Sequence, residues 1–241
     1  MEIIKTKDYD EMSKQACVKV IETIEEMHQP VLGLATGSTP EGLYKCLIDA
    51  YKRNKVHFDK VTTFNLDEYI GLSPEDKNSY HYYMNENFFK HIDLPADQAN
   101  VPKGNTGNAS QACEDYEQLI REAGHIDLQI LGLGVNGHIA FNEPHTPFNS
   151  RTQVVDLTES TKDANARFFE SMDDVPTQAI TMGLESIMES REIILLVSGF
   201  KKAAALAELI HGKKTESLPA SILKNHPNVT IIADEEALSK A

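Results

Sequence analysis

Leu131-Gly132-Leu133-Gly134-Val135-Asn136-Gly137-His138-Ile139-Ala140-Phe141-Asn142-Glu143-Pro144 is the stretch on which the reading of the fold turns. The apolar run at residues 126–133 stops at glycines and gives way to Asn, His and Glu. A continuous apolar run of this length reads as a strand buried on both faces, the habit of parallel sheets covered by helices. In such open α/β sheets ligands collect just beyond the carboxyl ends of strands, where glycine lets the backbone come close to them. His138 is the only histidine in the chain with that setting.

The same order of strand, turn and helix recurs on both sides. Residues 31–35 predict a buried strand that ends in Thr36-Gly37-Ser38-Thr39-Pro40-Glu41, before a helix with Leu43, Leu47 and Ala50 inward. Thr39 suits an N-cap and Pro40 the first helical position, and Gly37 allows the turn to present its N–H groups. Such a turn is either an anion site, most naturally for phosphate, or a well-capped helix start without a ligand. It matches neither the P-loop nor the dinucleotide glycine pattern. Residues 61–66 predict the next strand, with Asp67-Glu68-Tyr69 at its end. Adjacent side chains on extended backbone point opposite ways, so only one carboxylate faces a cleft there. A solvated loop pair is the plainer expectation. Residues 192–199 form another buried strand, and Lys201 and Lys202 open the helix that follows. Cations at a helix N-terminus oppose its dipole, which a bound dianion would explain and a solvated face would also allow.

The remaining segments read as scaffold. A strand at residues 1–5 precedes a helix whose stripe is Tyr9, Met12, Ala16, Val20, Ile24 and Met27. The aromatic-rich helix at 79–90 is expected to serve packing. A loop at 102–108 leads to a helix at 110–123, and a strand at 150–156 leads to a helix at 161–169 that holds Arg167. The mixed polarity of residues 158–177 suits a cover over a cleft. A short strand at 179–183, a strand at 228–233 and a short terminal helix close the pattern. These alternations predict one α/β domain over 1–241: an open, doubly wound, mostly parallel sheet with helices on both faces, a Rossmann-like three-layer sandwich.

Composition narrows the partners. The 241 residues carry 23 Lys and Arg against 37 Asp and Glu, a formal net charge of −14, so nucleic acid and anionic membranes are poor partners. An anionic substrate must then be held by locally placed cations and N–H groups. Cys17, Cys46 and Cys113 are far apart in sequence and odd in number, which fits reduced core residues better than disulfides. Without a signal-peptide pattern or a membrane-length apolar run, a cytoplasmic protein is expected.

In a doubly wound sheet, the turns at 36–39, 67–68, 136–143 and 199–202 share one edge. A single cleft would then hold an anion cradle, a carboxylate, a histidine with its own carboxylate and a lysine. This is equipment for proton transfer on a phosphorylated polyol or sugar. Six motifs in order carry a resemblance that spans essentially the whole chain: Leu34-Ala35-Thr36-Gly37-Ser38-Thr39-Pro40, Asn65-Leu66-Asp67-Glu68-Tyr69, Gly137-His138-Ile139-Ala140-Phe141-Asn142-Glu143-Pro144, Ser150-Arg151-Thr152, Asn165-Ala166-Arg167-Phe168-Phe169 and Gly199-Phe200-Lys201-Lys202-Ala203. The sequence resembles the glucosamine-6-phosphate deaminase (isomerase) family.

The resemblance implies conversion of glucosamine 6-phosphate and water to fructose 6-phosphate and ammonia in amino-sugar catabolism, with no metal or organic cofactor. It implies that His138 opens the sugar ring and that Asp67 moves the proton from C2 to C1. Glu143 would orient His138, and Asn136, where some members have Asp, would hydrogen-bond the imidazole without adding charge. Thr36, Gly37, Ser38, Thr39, Lys202 and Arg167 would hold substrate and phosphate. Hexameric members activated by an effector carry basic residues where this chain has Gln153 and Val155, which implies an unregulated, monomeric short form. The alternatives are a 6-phosphogluconolactonase-like hydrolase, a non-catalytic sugar-phosphate-binding domain, which would bring a helix-turn-helix segment not expected here, and a metal held by Asp67, His138, Glu143 and His145.

Overall fold

The computed structural model describes residues 1–158 and 175–241. The helix expected at 161–169, its Arg167, and most of the cover expected at 158–177 lie outside the described residues. The elements are β1 (Glu2–Thr6), α1 (Tyr9–Glu26), β2 (Val31–Leu34), α2 (Glu41–Lys52), β3 (Thr62–Asn65), β4 (Asp67–Tyr69), α3 (Tyr80–Asn87), β5 (Ala99–Asn100), α4 (Ala109–Glu122), β6 (Leu128–Gly132), β7 (Gln153–Asp156), β8 (Gln178–Thr181), α5 (Leu184–Met188), β9 (Glu192–Val197), α6 (Ala203–His211) and β10 (Val229–Asp234).

Seven strands pair in parallel in the order β1-β10-β9-β6-β2-β3-β5. Strand alternation supplies both cores: Ile193, Leu195 and Val197 of β9 pack with α4, α5 and α6, while Ile194 and Leu196 pack with α1, α2 and α3. From β2 the chain winds outward through β3 and β5, then returns to β6 on the other side of β2 and winds through β9 and β10. The carboxyl ends of β2 and β6 therefore flank the point where the winding reverses, the crevice in which open α/β sheets hold ligands.

Three local expectations are corrected. Pro40, not Thr39, holds the N-cap position of α2, and no side chain caps that helix. Pro40 is already helical at φ −85°, ψ −3°, and its carbonyl accepts from Tyr44 N at 3.0 Å, so the first turn closes without the threonine. Asp67-Glu68-Tyr69 is a strand of a second, antiparallel sheet ordered β4-β8-β7. Beyond β10 the chain forms turns rather than a helix.

The Ser150-Arg151-Thr152 segment anchors the second sheet. Glu117 on α4, 6% exposed, accepts from the N–H of Thr152 at 2.9 Å, from its hydroxyl at 2.6 Å, from Arg151 at 2.5 Å and from the Ser186 hydroxyl on α5. Ser150 Oγ accepts from Leu184 N at 3.0 Å. Burial alone would raise the Glu117 pKa, but the hydrogen bonds from Ser186, Thr152 and Arg151 outweigh it and hold the carboxyl below its usual value. Replacing Glu117 by Ala strands these buried donors and is expected to cost roughly 2–4 kcal/mol in urea unfolding. The depressed carboxyl stabilises the fold above its unfolded pKa, so the difference from the parent should shrink as pH falls below about 4.

Candidate active site

The turn after β2 presents unused donors. Among the described residues nothing accepts from the backbone N–H of Gly37, Ser38 or Thr39, and Gly37 holds φ +92°, a conformation natural to glycine. Thr39 faces the end of β6: its Cβ and Oγ1 lie 3.9 Å from where a side chain on Gly132 would begin.

The turn after β6 carries His138. A Cβ on Gly134 would fall 2.5 Å from the imidazole atoms, so this glycine makes room for the ring rather than for a ligand. His138 Nδ1 lies 3.4 Å from Glu143 Oε1, within ion-pair reach but without hydrogen-bond alignment. The resemblance implied a bond from Asn136 to the imidazole; among the described residues its amide bonds elsewhere. Its Nδ2 donates to Glu143 Oε2 at 2.6 Å, and its Oδ1 accepts from His138 N at 3.2 Å. The amide thus ties the carboxylate to the histidine's own backbone. An Asp could not donate this bond unless protonated.

Asp67 and Glu68 are 6% and 3% exposed, which overturns the solvated pair. As alternation requires, they part. Glu68 turns toward α3, where its oxygens accept from Tyr80 N and His81 N, each at 2.9 Å, and from Tyr69 N at 2.8 Å. It also lines a cavity of about 330 Å³ that includes neither Asp67 nor His138. Among the described residues Asp67 carries no such bonds; burial first, and the Glu68 charge second, push its pKa up to about 8. β8 joins Asp67 to the histidine turn: Asp67 pairs with Thr181, and Thr181 Oγ1 accepts from Phe141 N at 3.1 Å.

Lys202 is half-buried at the N-cap position of α6, in the turn that follows β9, the neighbour of β6 in the sheet. Burial lowers its pKa, and no carboxylate among the described residues lies within ion-pair reach. The preceding turn is fixed by Asp234, 4% exposed, which accepts from Gly199 N at 3.0 Å and from Ser198 Oγ at 2.5 Å. The sequence reading passed over Asp234; a carboxylate at the last position of a buried strand was its one available signal.

The structure thus places Thr36, Gly37, Ser38, Thr39, Asn136, His138, Glu143, Asp67 and Lys202 in the segments that follow the carboxyl ends of the parallel strands β2, β3, β6 and β9, while Arg167 lies outside the described residues. Among the described residues no three His, Cys, Asp or Glu side chains are grouped to hold a metal ion, which leaves Asp67, His138, Glu143 and His145 without a shared metal geometry.

The family model of glucosamine-6-phosphate isomerases and 6-phosphogluconolactonases matches residues 7–232. The chain is 58% identical to a glucosamine-6-phosphate deaminase of Oceanobacillus iheyensis over 99% of this chain and 95% of the relative. It is 54% identical to one of Shouchella clausii over 99% and 97%. A solved monomeric glucosamine-6-phosphate deaminase superposes with a TM-score of 0.98 at 48% identity, covering 100% of both chains. A 6-phosphogluconolactonase from Thermotoga maritima, 22% identical with a TM-score of 0.79 over 97% of this chain and 99% of that one, shares the fold.

Asp67 ionises at a cost when folded, because its pKa stands above the unfolded value. That cost is absent below about pH 4 and grows until about pH 8. Asp67→Asn is therefore expected to raise Tm relative to the parent at pH 8 and to lose that advantage at pH 4. A pH-independent difference would contradict the burial argument.

Proposed function

The chain belongs to the family of glucosamine-6-phosphate isomerases and 6-phosphogluconolactonases, and we propose that its site works as a glucosamine-6-phosphate deaminase, converting glucosamine 6-phosphate and water to fructose 6-phosphate and ammonia in amino-sugar catabolism. The observation that carries this reading is the buried Asp67 carboxylate, with its pKa pushed up to about 8. An ordinary carboxylate is a weak base toward carbon; a desolvated one is better matched to the C2 proton of an amino sugar. In the ionised form Asp67 takes the C2 proton and returns it to C1, turning the aldose amine into a ketose imine, which water hydrolyses.

The ring must open first. His138 is the group we assign to move a proton between the anomeric hydroxyl and the ring oxygen. Glu143, held by Asn136, stabilises the imidazolium that forms in passing. The N–H groups of Gly37, Ser38 and Thr39 and the Lys202 ammonium, which have no acceptor or carboxylate partner among the described residues, serve with Thr36 the substrate and its phosphate, which answers how a chain of net charge −14 holds an anion. Arg167 is assigned to the phosphate by the resemblance alone. The chemistry as written uses protein side chains throughout, and we assign the enzyme to the cytoplasm as a monomer.

Ammonia release from glucosamine 6-phosphate, set against N-acetylglucosamine 6-phosphate and 6-phosphogluconolactone, tests the reading; no release from the first substrate would sink it. Asp67→Asn should slow exchange of the C2 proton with solvent by about 10²–10⁴-fold. Lys202→Met should raise KM by roughly 10–100-fold with kcat little changed, the signature of lost phosphate binding.

A further inference from the structure

The anion turn is held from behind by three tyrosines on three helices. Tyr44 on α2 donates to Ala35 O at 2.5 Å and fixes the end of β2. Tyr83 on α3 donates to Gly37 O at 2.7 Å, and Tyr9 on α1 donates to Ser38 O at 2.8 Å. The Tyr9 oxygen in turn accepts from Gly42 N at 2.8 Å, which locks it to the first turn of α2. A trans peptide unit is planar, with C=O and the next N–H pointing opposite ways. Fixing the carbonyl of Gly37 therefore aims the N–H of Ser38, and fixing that of Ser38 aims the N–H of Thr39. Both N–H groups are among those without an acceptor among the described residues.

We propose that Tyr9 and Tyr83 are positioning residues for substrate phosphate: by holding the carbonyls of Ser38 and Gly37 on the far side of the turn, they aim the Thr39 and Ser38 N–H groups into the cleft. Preorganised donors bind an anion without having to reorient when it arrives. Burial raises the pKa of both phenols, so they remain O–H donors across the working range. The proposal rests on reading residues 36–39 as the phosphate site.

Tyr9→Phe and Tyr83→Phe keep the rings and remove only the hydroxyls. Each is expected to raise KM roughly fivefold, as the loss of about one hydrogen bond would, while kcat stays within about twofold of the parent. Inorganic phosphate, used as a competitive inhibitor, should weaken in parallel, and more in the double variant. A merely structural role would lower the urea midpoint and leave KM and the phosphate inhibition constant unchanged, and that result overturns the proposal; should the double variant fail to fold, the single variants decide. Lys202→Met and Gly37→Ala separate the two layers of the argument. If they weaken phosphate inhibition and the tyrosine variants do not, the brace is wrong and the phosphate site stands. If none of the four changes it, the phosphate site itself is wrong.

Discussion

Keeping two adjacent carboxylates out of water is the constraint on which the site depends. Burial disfavours the charged form of each, and their mutual repulsion adds to the cost. The structure solves this unequally. Glu68 is supplied with three backbone N–H groups, two of them from the start of α3, and so links β4 to that helix. Asp67 is given none among the described residues, and its pKa is pushed up to about 8. One acid ties the region together through backbone N–H groups, and the other is left with a raised pKa.

The second sheet follows from the same arrangement. For Asp67 to be buried, the chain must leave the main sheet at Leu66 and start a new pairing with β8, which the Arg151 and Glu117 network fastens to α4 and α5. β8 then serves both sides, pairing with Asp67 and accepting from the histidine turn through Thr181. This gives the Ser150-Arg151-Thr152 motif a physical role in the scaffold, where it ties the second sheet to α4 and α5.

The seven-stranded sheet and the edge that holds the site were legible because buried strands are continuous apolar runs and because their glycine-rich ends stand out. What was not legible depended on partners distant in sequence. Asp67-Glu68 reads as a polar loop until β8 is known to cover it. Asn136 is compatible with an imidazole partner until Glu143, seven residues on, proves to be nearer. The tyrosines of α3 looked like packing, and Phe88 and Met84 are just that; the hydroxyl of Tyr83 reaches a carbonyl 46 residues away, which no local pattern announces. Thr39 was misassigned because capping preference is a tendency of sequence, whereas the observed start of α2 was set by Pro40.

An edge pairing of the large sheet joins strands more distant in sequence than any other pair among the described residues, with Glu2 opposite Thr230 and Thr6 opposite Asp234. During synthesis β1 emerges first and has nothing to pair with until β10 has left the ribosome, so its edge of the sheet is completed last and by the longest loop closure in the molecule. Asp234, which fixes the turn before Lys202, lies on that same late strand. The turn that carries Lys202 therefore gains this anchor only after β10 has emerged, later in synthesis than β2, β3 and β6.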